Sequence, residues 1–194
     1  MLNAELNTQL TQNLPLLEND IALRLKVTDD ENGKKVRTFV EEVASMSEKI
    51  SLERAMFVKA PGFAICRKGE KEGIAFAGLP LGNQFPSFIK AMLEVSGYTA
   101  ENDENLENRI SSITKPIHFE TYFCLDCDIC PNVVQALNTI SALNKNITHT
   151  AIESSLFHEE MDRRGVKTTP TIFMNGKEFS TGLITIEEIL EKIG

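Results

Sequence analysis

The chain lacks the features of three common functional classes. Its basic residues occur in runs of at most two and its formal net charge is −8, which argues against nucleic-acid binding. No stretch approaches the roughly 20 apolar residues of a membrane-spanning helix. The first six residues hold neither a basic region nor an apolar run, so we expect no secretory signal and a cytoplasmic location.

Cysteine is also scarce, with four residues in 194, but three of the four are clustered. Cys124, Cys127 and Cys130 fall within seven residues, and Pro131 follows directly. In a reducing compartment, a close cysteine pair is more often catalytic or metal-binding than a structural crosslink. The remaining thiol, Cys66, lies in an apolar run and is expected to be a small core residue.

The clustered cysteines stand at a predicted strand-to-helix junction. A strand is predicted at 117–123, and apolar residues recur at helical spacing from Val133 to Leu143. The positive end of a helix dipole favours thiolate over thiol, so this position suits redox chemistry. We expect Cys127 to be the exposed attacking thiol and Cys130 the buried thiol that resolves a mixed disulfide.

The predicted elements follow one plan twice. The first half has predicted helices at 3–17, 36–43 and 85–95, and predicted strands at 21–27, 49–54, 62–67 and 73–76. The second half has predicted helices at 106–113, 155–164 and 185–193, and another whose first turn holds Cys127 and Cys130 and which runs to Leu143. Its predicted strands are at 117–123, 147–152, 171–175 and 178–180. This order indicates an internal duplication within an α/β fold.

Aligning the two halves shows where they differ. Pairing Val36 with Val133 places Asp30 and Gly33 at the positions of the two cysteines of the C-x-x-C motif. The first half is therefore predicted to contain no dithiol.

The lengths of the two halves predict a further difference. The interval to the next proline before a strand is 25 residues from Val36 to Pro61 and 37 residues from Val133 to Pro170. The first half is thus shorter by about one helix. We predict two units, residues 1–100 and 101–194, with the boundary in the polar stretch 97–105; a single continuous domain is the alternative.

A bound metal or cluster is the main competing interpretation of the cysteines. The spacing C-x₂-C-x₂-C matches the first three ligands of a bacterial ferredoxin, but the position of the fourth is Val134. The three histidines show no matching spacing for zinc, and Cys66 belongs to the other half. We therefore expect no metal site.

Several segments resemble the N-terminal domain of alkyl hydroperoxide reductase AhpF, and the resemblance extends over essentially the whole chain. The segments that carry it are 76–82, 119–123, 127–138, 149–152 and 170–179. It implies two fused thioredoxin-like folds, with mixed central sheets flanked by helices and a working dithiol in the second fold alone.

The resemblance also implies roles for individual residues. Cys127 would attack and Cys130 would resolve. Pro170 would be a cis-proline, and the preceding Thr169 would offer backbone hydrogen bonds to an incoming disulfide segment.

Three departures from the family pattern stand out. The 194 residues hold no glycine-rich dinucleotide fingerprint, so the chain is either an excised segment or a stand-alone carrier. The family often has a carboxylate near the dithiol, where this chain offers Gln84. Cys124 stands where relatives can carry a residue without a thiol, and it is either a passive strand-end residue or an auxiliary thiol.

These observations predict a dithiol–disulfide oxidoreductase. We expect it to bind no cofactor itself, to receive electrons from a thioredoxin-reductase-like flavoprotein module that carries FAD and uses NADH or NADPH, and to reduce a 2-Cys peroxiredoxin. The alternatives are a general protein disulfide oxidoreductase or isomerase of the two-thioredoxin-fold type, and a docking module whose cysteines form a structural clip.

Overall fold

A computed structural model describes residues 2–56, 58–98 and 103–194. The described residues form one mixed eight-stranded sheet flanked by helices. The first half contains α1 (Ala4–Asn13), β1 (Ile21–Lys26), α2 (Glu31–Ser45), β2 (Ile50–Arg54), β3 (Gly62–Arg67), β4 (Ile74–Ala77) and α3 (Phe85–Ser96). The second half contains α4 (Glu104–Ser111), β5 (Ile117–Phe123), α5 (Cys130–Leu143), β6 (Ile147–Glu153), α6 (His158–Arg164), β7 (Thr171–Met174), β8 (Lys177–Thr181) and α7 (Ile186–Ile193).

The predicted α/β class and the order of elements are confirmed, and the predicted ends are shifted by a few residues. The predicted first helix ends earlier, because Pro15 lies in a short 3₁₀ turn at Leu14–Leu16. The last helix begins one residue later than predicted. Its N-cap is Thr185, which forms a capping box with Glu188.

The sheet repeats one strand pattern in the two halves. The strand order is β2-β1-β3-β4-β6-β5-β7-β8. In each half the first two strands pair in parallel and the next two add in antiparallel fashion. Parallel pairing of β4 with β6 joins the halves into one sheet. The resemblance implied mixed central sheets in two fused folds, and the pairing of β4 with β6 makes them one continuous sheet.

Among the described residues, the first half shows no counterpart of α6. In the connection from β2 to β3, at 55–61, the described residues form no helix, whereas the connection from β6 to β7 contains α6. The boundary predicted near residue 100 lies outside the described residues, and the division into two units stays a prediction.

Aromatic side chains fill the core of the first half, and this core reaches the second half. Phe39, Phe63 and Phe88 are fully buried and in contact with one another. The same cluster includes Cys130 and Val134 of α5. The first half therefore supports the helix that begins with Cys130.

The sequence predicts no membrane-spanning helix, and the helices that the structure describes agree with this. Within the described ranges, none of them combines the length and the apolar character that crossing a bilayer demands.

Candidate active site

The cysteines lie between β5 and α5, at the carboxyl end of a strand inside the sheet. Cys124 is the first residue after β5, and Cys130 is the first residue of α5. The backbone N–H of Cys127 donates to the carbonyl of Cys124 at 3.4 Å, which closes a turn between them. Pro131 follows at the start of the helix, where its missing N–H leaves no hydrogen bond unmade.

Cys127 and Cys130 form a disulfide, with their Cα atoms 5.5 Å apart. Cys130 is fully buried, and Cys127 is half-buried. The sequence predicted this difference in exposure. Both cysteines were predicted to lie in the first turn of the helix. Cys127 in fact precedes the helix by three residues.

The helix terminus acts directly on the sulfur of Cys127. The backbone N–H of Cys130 donates to Cys127 Sγ at 3.1 Å. Ile129, the residue at the N-cap position, makes no side-chain capping bond. The Cys127 sulfur thus occupies the place of a capping oxygen. In the reduced protein, this hydrogen bond and the helix dipole favour the thiolate of Cys127.

The loop before β7 lies against the cysteines. The Thr169–Pro170 peptide bond is cis, as the resemblance implied. The Thr169 carbonyl oxygen is 3.9 Å from Cys127 Sγ. The Thr169 hydroxyl donates to Cys124 Sγ at 3.3 Å. This loop therefore contacts two of the three sulfurs.

Cys124 remains a free thiol beside the disulfide. It is half-buried, and the sulfurs of Cys124, Cys127 and Cys130 all lie within 4.8 Å of one another. No histidine or carboxylate joins this cluster among the described residues. Val134, at the fourth position of a ferredoxin motif, is fully buried in the core. Cys66 is also buried, and burial raises the pKa of its thiol to about 11.

The first half contributes to the site through the turn before α3. The backbone N–H of Asn83 donates to the Leu125 carbonyl at 3.0 Å, and its side-chain amide donates to Asp128 Oδ1 at 3.1 Å. Gly82 has a φ of +54°, and a Cβ on it would lie 2.7 Å from the Leu125 carbonyl oxygen. Glycine is therefore required at this contact. In this segment the sequence pointed to Gln84, and no motif pointed to Asn83.

Gln84 is fully buried at the end of the 3₁₀ turn Gly82–Gln84. Neither its Oε1 nor its Nε2 has a hydrogen-bond partner among the described residues. The turn packs against α5, and the Gln84 side chain makes no hydrogen bond to the cysteines there. The auxiliary role considered for Gln84 stays untested.

Two exposed apolar side chains lie on segments that contribute to the site. Ile129, between the paired cysteines, is 38% exposed, and Leu183 is 57% exposed. Leu183 follows Gly182, whose backbone N–H donates to the Pro170 carbonyl at 2.8 Å. Each of these two segments therefore presents an apolar side chain to solvent.

Comparison with known proteins agrees with this arrangement. Residues 117–194 match the family model of the thioredoxin domain. The chain is similar to the N-terminal domain of alkylhydroperoxide reductase AhpF from Enterococcus faecalis, with a TM-score of 0.91, 24% identity and 100% of each chain covered. It is also similar to a protein disulfide oxidoreductase from Aeropyrum pernix, with a TM-score of 0.82, 17% identity, and 97% of this chain and 90% of that chain covered. These structures show the fold.

Curated relatives share more of the sequence. Over all 194 residues the chain is 42% identical to a Bacillus subtilis protein named NADH dehydrogenase. It is 39% identical to the alkyl hydroperoxide reductase AhpF of Staphylococcus aureus. In each case the chain spans 38% of the relative's length.

The fold, the cysteine pair and these relatives define a thiol–disulfide oxidoreductase built from thioredoxin-like folds. Within that class, the resemblance to the N-terminal domain of alkyl hydroperoxide reductase AhpF is confirmed.

Proposed function

We propose that the chain relays electrons from a flavoprotein reductase, which uses NADH or NADPH, to the disulfide of a 2-Cys peroxiredoxin in peroxide detoxification. Relatives named for alkyl hydroperoxide reduction and for NADH oxidation support the two ends of this relay. The chain spans 38% of their length, so a flavin module has room in the remainder of such proteins. In this proposal the chain binds no cofactor and works in a reducing cytoplasm.

The observation that carries the proposal is the asymmetric cysteine pair at the start of α5. In the reduced protein, the Cys127 thiolate attacks the partner disulfide, forms a mixed disulfide and releases one partner thiolate. The Cys130 thiolate then attacks Cys127 Sγ and forms the Cys127–Cys130 bond. The second partner thiolate leaves and takes up a proton, so two electrons pass to the partner.

The surroundings of Cys127 suit an incoming peptide. The Thr169 carbonyl lies beside its sulfur and can accept a backbone hydrogen bond from an extended segment. Ile129 and Leu183 offer apolar contacts to the same segment. We assign the binding of the partner's disulfide loop to this surface.

The charges near the dithiol favour a reducing carrier. Asp126 and Asp128 are exposed on either side of Cys127. Their negative charge opposes the thiolate that the helix terminus stabilises. We expect a reduction potential nearer the roughly −270 mV of thioredoxin than the roughly −120 mV of a strong periplasmic oxidant.

A general disulfide oxidoreductase or isomerase is the alternative function. Such proteins often have a dithiol in both halves, whereas Asp30 and Gly33 replace it here. This difference favours a dedicated carrier with one redox site.

The two functions are separated by their acceptors. The reduced chain is mixed with an oxidised 2-Cys peroxiredoxin or with a scrambled multi-disulfide protein. Free thiols are then followed over time. The proposal predicts reduction of the peroxiredoxin at least about tenfold faster than turnover of the scrambled protein. Equal rates, or faster isomerisation, would support the alternative.

A further inference from the structure

Cys124 is a free thiol that the proposed cycle does not use. Its sulfur lies within 4.8 Å of both sulfurs of the disulfide. It directly follows β5, which is paired with β6 on one side and with β7 on the other. Because β5 lies inside the sheet, the closeness of Cys124 to the disulfide is built into the fold.

The sequence contains two overlapping C-x-x-C motifs that share Cys127. Cys124 and Cys127 are three residues apart in the sequence, as are Cys127 and Cys130. A backbone hydrogen bond of 3.4 Å closes the turn between Cys124 and Cys127. A disulfide between Cys124 and Cys127 therefore needs only local movement of two side chains that are already near each other.

Thr169 contacts the sulfurs of both Cys124 and Cys127. Its hydroxyl donates to Cys124 Sγ at 3.3 Å, while its carbonyl lies 3.9 Å from Cys127 Sγ. The loop that we assign to partner binding thus also holds Cys124 beside the atom under attack.

We propose that Cys124 is a second resolving thiol of the relay. This inference rests on the proposed function. After Cys127 has formed the mixed disulfide, the Cys124 thiolate attacks Cys127 Sγ. The Cys124–Cys127 bond forms, the bond between Cys127 and the partner breaks, and the partner thiolate leaves and takes up a proton.

The resulting disulfide then passes to the buried pair. The Cys130 thiolate attacks Cys127 Sγ, the Cys127–Cys130 bond forms, and Cys124 is released as a thiol. This exchange moves no net electrons, and it ends in the pairing found in the structure. Because Cys124 is more exposed than the fully buried Cys130, it can meet the mixed disulfide from the partner's side.

The test uses a reduced Cys130→Ser variant and one molar equivalent of a chromogenic aromatic disulfide. If Cys124 resolves the adduct, each probe molecule releases two aryl thiolates, and the protein mass shows a disulfide without a retained aryl group. Release of one aryl thiolate, with a stable adduct on Cys127, would overturn the proposal.

The matched control is the Cys124→Ser/Cys130→Ser variant, which should release one aryl thiolate and keep the adduct. A control in which Cys127 fails to react would count against the proposed function itself. The two failures are therefore distinguishable.

The wild-type chain gives a second readout, which decides if the Cys130→Ser variant does not fold. The reduced chain is treated with the same probe, quenched with acid at short times and cleaved on the amino side of Asp126 and Asp128. These cuts place the three cysteines in separate peptides. We expect Cys124–Cys127 pairs early and Cys127–Cys130 pairs later; Cys127–Cys130 pairs at every time would contradict the inference.

Discussion

The two halves of the molecule place different chemistry on the same backbone arrangement. Before α5, Cys127 Sγ accepts a hydrogen bond from the backbone N–H of Cys130 at 3.1 Å. Before α2, the Asp30 carboxylate accepts one from the backbone N–H of Gly33 at 2.7 Å. Each half also has a cis-proline just before its third strand, Pro61 in one and Pro170 in the other. The backbone arrangement of the site thus occurs in both halves, whereas the C-x-x-C dithiol occurs in the second half.

The first half has a supporting contact with the redox site in place of a dithiol. Hydrogen bonds from Thr28 and from the Gly33 backbone lower the pKa of Asp30, as expected of a carboxylate that caps a helix. The first half contributes to the redox site elsewhere, through Asn83 and its bonds to Leu125 and Asp128. These bonds tie the loop that carries Cys127 to the first half.

The largest expected effect comes from replacing Cys127, and the matched replacement of Asp30 in the first half should have almost none. Cys127→Ser should lower the rate of disulfide reduction by at least about 1000-fold, because a hydroxyl does not replace a thiolate as the nucleophile. Asp30→Ser, the matched change in the first half, should leave the rate within about twofold, since serine also caps helices. Reduction of insulin disulfides measures both. Similar losses in the two variants would break the comparison.

The second prediction is that the first half does not accommodate a dithiol, because Gly33 has no room for a side chain. A Cβ on Gly33 would lie 1.9 Å from the Thr28 carbonyl oxygen. We expect Gly33→Ala to lower the free energy of unfolding by about 2–3 kcal/mol through overpacking, as measured by urea unfolding. Asp30→Cys/Gly33→Cys should be destabilised similarly and should form no second disulfide.

Gly73→Ala is the control for the loss of a glycine. The nearest atom to a Cβ on Gly73 would be the Ser141 carbonyl oxygen, at 3.9 Å. The free energy of unfolding of Gly73→Ala should therefore differ from that of the wild type by less than about 0.5 kcal/mol. A stable double-cysteine variant with a reversible second disulfide would show that the first half has kept the geometry for redox chemistry.

A third prediction concerns the pH dependence of stability and compares the second strand of each half. Leu52 on β2 and His149 on β6 are counterparts, paired with Leu23 and Phe119 respectively. Leu52 is exposed at the sheet edge, whereas His149 is buried within the sheet. Its Nδ1 bonds Asn138 and its Nε2 bonds Thr121.

Burial, with a smaller contribution from repulsion by His118, lowers the pKa of His149 to about 3. The unfolded chain binds this proton near pH 6.5, so the stabilisation by His149 is complete above that pH. It should fall as the pH drops towards 3, by up to about 1.4 kcal/mol per pH unit.

The pH dependence of urea unfolding tests this expectation. His149→Gln should flatten the profile between about pH 6.5 and pH 3, because a neutral amide does not titrate. His158→Gln, on an exposed residue, should leave the profile unchanged. A wild-type profile that is no steeper than that of His149→Gln would contradict the assignment.

The sequence predicted most of the local structure. Apolar periodicity located the helices, and the aligned halves identified Asp30 and Gly33 as the positions without thiols. The pairing of β4 with β6 was not predictable, since the contacts that set it are distant in the chain. The site contacts of Asn83 also arise from packing between the halves, and an asparagine in a turn has many local explanations.

The central claim is that the Cys127–Cys130 pair passes two electrons to a peroxiredoxin disulfide. The most direct measurement mixes the reduced chain with one equivalent of oxidised 2-Cys peroxiredoxin and maps the disulfides of both proteins by mass spectrometry. The account predicts that one Cys127–Cys130 bond forms for each peroxiredoxin disulfide that is reduced. The account would be contradicted if the reduced chain reacts with the chromogenic aromatic disulfide but leaves the peroxiredoxin oxidised.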